Sequence, residues 1–131
     1  MKNCILIIVA VAGLLFSGCN KDNASKWVGT YMGTNGTNVN QIVITEVDKN
    51  TISIQLQTPY GGTFVTFVTI KAAKLTDATD AAIDEYGNIL PDTVTSYHFT
   101  GTANLNGNTI TFAGQGVNGN VTKTYAFTGS K

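Results

Sequence analysis

Ile52-Ser53-Ile54-Gln55-Leu56-Gln57 alternates apolar and polar residues without a break. Successive side chains of a strand point to opposite faces, so this hexapeptide reads as a strand with one buried and one wet face. Ahead of it, Gln41 to Val47 (QIVITEV) is rich in β-branched residues, and Asp48-Lys49-Asn50 supplies a turn. The two segments read as a hairpin. After it, the turn cluster Pro59-Tyr60-Gly61-Gly62 leads into Phe64 to Ile70 (FVTFVTI), a further strand.

The same pattern runs through the last third of the chain. Tyr97, Phe99, Gly101, Ala103 and Leu105 fall on one face of a long strand, and Ile110 and Phe112 share a face of the next. Val121, Lys123, Tyr125 and Phe127 share a face of the last strand, where Lys123 interrupts the apolar series and marks a barrel mouth. Asn106-Gly107 and Asn118-Gly119 are favoured dipeptides for tight type I′ hairpin turns. Near the start, Trp27, Gly29, Tyr31 and Gly33 also alternate. The one weak helical pattern lies in Lys71 to Ile83, enough for one or two turns.

These segments make an all-β chain, an antiparallel up-and-down meander of seven or eight strands. Short connections and the need to remove exposed edges favour closure into a small barrel. A two-layer β-sandwich is the alternative, since it too buries one face of every strand.

Composition agrees and excludes several functions. The 131 residues include 20 Thr, 14 Gly and 13 Asn but only two Pro, a balance of strand and turn formers. Eight Lys, no Arg and eight acids give zero net charge, against the basic face that a nucleic-acid binder needs. Two Cys and one His are too few for a zinc or iron–sulfur site, and no cofactor is expected.

The first 18 residues read as an address. Met1-Lys2-Asn3 is short and positive, and Cys4 to Phe16 is an apolar run of 13 residues. A membrane-spanning helix needs about 20, so this length suits a secretory signal. Leu15-Phe16-Ser17-Gly18-Cys19 resembles the lipobox of bacterial lipoproteins. That resemblance implies cleavage after Gly18 and acylation of Cys19, with enough chains for stable attachment to a membrane. Cleavage leaves no second Cys for a disulfide, and seven Lys against eight acids. Residues 19–26 then form the lipidated Cys and a polar tether, and residues 27–131 the barrel. Lys21-Asp22 looks like a charged export signal of surface lipoproteins of Bacteroides-type bacteria. The expected location is therefore the outer membrane, on its surface-exposed or periplasmic face.

Gly29-Thr30-Tyr31 looks like the Gly-x-Trp start of lipocalin and other calycin barrels, with Tyr in place of Trp and Trp27 two residues earlier to plug the barrel. With the closing Phe127-Thr128-Gly129, the chain is similar to small calycin-like lipoproteins of Bacteroides-type bacteria. The resemblance implies a calycin-like barrel that binds a small hydrophobic ligand.

The aromatic set is the leading candidate site: Trp27, Tyr31, Tyr97, Phe99 and Tyr125 on inward faces would line a pocket for a small apolar or aromatic ligand. The competing reading has these side chains filling the barrel, since eight strands are just wide enough for either. The chain is then a surface module for a protein or glycan partner. Five of the eight acids lie between Asp77 and Asp92. Asp77, Asp80, Asp84 and Glu85 form a weak candidate metal loop, more simply a solvated connection with Tyr86-Gly87-Asn88 as its turn. Asp92-Thr93-Val94 fits a short acid–hydroxyl–apolar signal resembling an O-glycosylation site of Bacteroides-type periplasmic proteins, at Thr93. His98 points away from Tyr97 and Phe99, and the chain has no G-x-S-x-G elbow, so no enzyme activity is expected.

Overall fold

The structure is a computed structural model that describes residues 22–33 and 39–131. The expected signal segment, residues 1–18, and Cys19 lie outside the described residues. Eight strands follow a short 3-10 turn at Ala24–Lys26: β1 (Gly29–Gly33), β2 (Gln41–Asp48), β3 (Thr51–Tyr60), β4 (Thr63–Leu75), β5 (Asp80–Asn88), β6 (Ser96–Asn106), β7 (Thr109–Asn118) and β8 (Val121–Ser130). Each pairs antiparallel with its chain neighbours and β1 pairs with β8, so the meander closes into a barrel rather than a sandwich.

Alternation decides which side chains go inside. Ile52, Ile54 and Leu56 of β3 are fully buried, as are Ile42 on β2 and Val68 on β4. The β6 face of Tyr97, Phe99, Ala103 and Leu105 is buried, with Ile110 and Phe112 on β7 and Tyr125 and Phe127 on β8. No charged or polar side chain is buried among the described residues.

Glycine permits the closing seam. β1 and β8 share only the pairs Met32↔Ser130 and Gly33↔Gly129. A Cβ built on Gly33 or Gly129 would come within 3 Å of the Phe127 ring, so the ring lies over the two facing glycines. In the β6–β7 and β7–β8 hairpins the turn sits one residue later than the Asn-Gly dipeptides suggest. The ladders end at Asn106↔Thr109 and Asn118↔Val121, leaving Gly107-Asn108 and Gly119-Asn120 as the loops. Glycine holds the first central position in each, at φ 60° and 54°, which the primed turns demand.

Two elements differ from the sequence expectation. Lys71 to Ile83 is not helical: it is the end of β4, a turn and the start of β5. Small alternating residues explain this, since Ala73, Ala81 and Ile83 are buried in the barrel. The acidic stretch is likewise not a simple loop around Tyr86-Gly87-Asn88. Most of it is β5, with Asp80 and Asp84 at outward positions and Glu85 half-buried on the inward side, opposite Phe99. The packed body also begins ahead of Trp27, because Ala24 is fully buried and the N–H groups of Asn23 and Ala24 both donate to the Lys49 carbonyl at 3.1 Å.

Candidate functional site

Because strands alternate in direction, the barrel has two distinct ends. The β2–β3, β4–β5 and β6–β7 connections gather where the chain enters. The β3–β4, β5–β6 and β7–β8 connections gather at the far end.

The entry end is plugged. Trp27 is fully buried, and its indole Nε1–H donates to the Ala78 carbonyl at 3.2 Å. The Tyr31 hydroxyl donates to the Trp27 carbonyl at 2.7 Å, and burial pushes its pKa up to about 12. Lys131 Nζ donates to the carbonyls of Lys26 (2.9 Å) and Val28 (2.8 Å), and stands 5.2 Å from the centre of the Tyr31 ring. Plug, strand β1 and the end of β8 are thus tied into one unit.

Among the described residues the far end is open. It holds a recess of about 480 Å³ floored by Phe67, Ile89 and Tyr125 and edged by Thr58, Thr122 and Lys123. The Phe67 and Tyr125 rings meet across it at 5.8 Å, tilted by 50°. Tyr97 lies nearby, 6.3 Å from Phe99 between ring centres. Burial is the main cause that raises the Tyr125 pKa, and the neighbouring Tyr97 adds to it. Lys123 has inward parity on β8 yet is exposed, as its place at a mouth requires.

The structure divides the aromatic set predicted from sequence. Tyr97, Phe99 and Tyr125 belong to the open half, with only Tyr125 lining the recess. Trp27 and Tyr31 are fully buried at or near the plugged end and do not line it. Phe67 and Ile89 were missed. β4 carries a bulge where Leu56 pairs with Val68 but Gln57 pairs with Thr66, leaving Phe67 as the extra residue. A bulge re-aims a side chain and bends its strand. Nothing in the local FVTFVTI pattern announces this.

The carboxylates of the acidic stretch do not converge. Asp77 accepts the backbone N–H groups of Thr79 and Asp80, both at 2.8 Å, which lowers its pKa. Asp80 accepts from Asn104 at 2.7 Å, Asp84 pairs with His98, and Glu85 accepts the Ala72 N–H at 3.3 Å. Among the described residues no group of three or more His, Cys, Asp and Glu could hold a metal ion. Thr93 is exposed in the β5–β6 connection, where Asp92 accepts the N–H groups of Val94 and Thr95. His98 sits on the outer wall, its ring 39% exposed beside Asp84.

Fold and site together define an all-β, up-and-down barrel with one plugged end and one aromatic mouth. The chain matches no protein-family model, curated protein or solved structure with which it was compared.

Proposed function

We propose that this protein is a lipid-anchored, non-catalytic barrel whose mouth takes a small aromatic or apolar molecule. The observation that carries the reading is the recess between Phe67, Ile89 and Tyr125, apolar at its floor and edged by the Lys123 cation. No ion-pair partner faces Lys123 among the described residues. An aromatic carboxylate therefore suits it better than a neutral ring, because the charge pair adds to apolar burial.

Acylation at Cys19 supports the same reading by orientation. Cys19 precedes Asn23 by four residues, which span at most about 14 Å when extended. Asn23 docks at the plugged end. The anchor therefore holds the plugged end toward an outer membrane and leaves the mouth facing away.

Titrating the full chain in detergent with benzoate and with benzamide, followed by amide NMR shifts, tests the ligand. Shifts at Phe67, Ile89, Lys123 and Tyr125, larger for benzoate, are expected. Shifts confined to the Trp27 end, or none, overturn the reading. Metabolic labelling with a fatty acid, lost in Cys19→Ala, tests the anchor.

A further inference from the structure

The outer wall carries a second feature, which adjoins the mouth at Ile89 but faces the outside of the barrel. β4 holds two bulges, and on its other side it pairs with β5 only through Lys74↔Ala82 and Leu75↔Ala81, with one isolated bridge at Val68↔Ile89. Between these points the strands splay, and the Glu85 side chain, not β5 backbone, takes the Ala72 N–H. A groove of about 260 Å³ opens along the splay, lined by Lys71, Tyr86, Asn88 and Ser96 among others.

Tyr86 makes this groove chemically specific. Its side chain is 72% exposed, unusual for a large aromatic on a solvated sheet face. It is also held in place. Tyr86 and His98 are directly opposed across β5 and β6, and their rings stack at 4.6 Å with 17° between planes. His98 is held in turn by Asp84. One face of the Tyr86 ring is thus backed by imidazole on the β6 side, and the phenol borders the groove on the β4 side. Asn88 donates its amide to the Thr95 carbonyl at 2.8 Å, which fixes its orientation and leaves its side-chain oxygen as an acceptor.

We propose that this groove binds a neutral pyranose unit of a glycan. The C–H face of the sugar lies on the Tyr86 ring, and its hydroxyls bond to Asn88 Oδ1, Ser96 Oγ and Lys71 Nζ. A pre-positioned aromatic platform flanked by hydroxyl, amide and ammonium groups matches a ring with one apolar face and polar edges. A flat apolar ligand would leave those polar groups without partners.

Affinity electrophoresis of the full chain in gels containing starch, mannan, laminarin or xylan tests the site. At least one polysaccharide retards the wild type, Tyr86→Ala loses at least tenfold in affinity, and Tyr86→Trp retains binding. Ser96→Ala weakens it a few-fold, and Lys123→Ala at the mouth leaves it unchanged. Tyr86 is exposed, so an unchanged thermal unfolding midpoint for Tyr86→Ala separates lost contact from lost fold. The proposal is overturned if none of the four polysaccharides retards the protein, or if Tyr86→Ala binds as the wild type does.

Discussion

The two ends of the barrel are made of the same residue types and do opposite things. At the entry end Trp27 and Tyr31 are sealed from solvent and have every ring polar atom bonded to a carbonyl. At the far end Phe67 is half-buried, and Tyr125 borders open space, its hydroxyl making no hydrogen bond among the described residues. Aromatic residues on an inward face therefore do not by themselves define a ligand pocket. Among the described residues, what separates plug from mouth is a backbone turn bonded across the opening. That turn is Ala24–Lys26 at the entry end, pinned to Lys49 and Lys131.

That contrast breaks most readily at Trp27. Trp27→Ala should cost about 3–5 kcal/mol in denaturant unfolding, as expected for a buried indole that leaves a cavity. A cost below about 1 kcal/mol would mean that the plug does not hold the barrel. Next in size is Tyr31→Phe, which leaves the Trp27 carbonyl without its donor and should cost about 1–2 kcal/mol. The same hydroxyl sets an alkaline limit. Its folded pKa lies above the unfolded value near 10, so its neutral form is favoured by folding. Stability is unaffected by this group below pH 10. It is lost between pH 10 and about 12 at roughly 1.4 kcal/mol per pH unit, and Tyr31→Phe should flatten that part of a pH–stability curve.

Phe67→Ala at the mouth should cost only about 1 kcal/mol, because its ring is already partly in solvent, yet it should abolish benzoate binding. A large stability loss there would make the mouth a second plug. The smallest effect compares one exposed loop carboxylate at each end. Asp77 and Asp92 both have lowered pKa values through bonds to nearby backbone and side-chain donors. Their contribution is full above pH 4 and lost as the pH falls through the lower folded values. Amide exchange at low pH should therefore rise in both loops while the strands stay protected.

Much of the barrel is legible in the residues themselves. Strict alternation in Ile52–Gln57 and in Tyr97–Leu105 assigns the inside, because a strand has a period of two. Glycines at the hairpins mark where the chain reverses, though the turns lie one residue beyond the Asn-Gly pairs. β5 is obscured in the sequence because Asp80 and Asp84 occupy outward positions and Glu85 interrupts the inward series that Ala81 and Ile83 begin, so charge masks the strand. The mouth was half legible. Lys123 stood out as a break in an apolar face, whereas Phe67 and Ile89 depend on a bulge and on a loop returning to β4. The splay between β4 and β5 leaves no local trace, since missing pairing is a property of two strands and of neither alone.

The extra residue at Phe67 makes β4 a switchable frame. Deleting that single position would bring Gln57 and Leu56 back into continuous register with their partners. The bend that aims this aromatic side chain across the opening would go with it. An engineer could thus remodel the rim by changing chain length by one, while every side chain of the plug stays as it is.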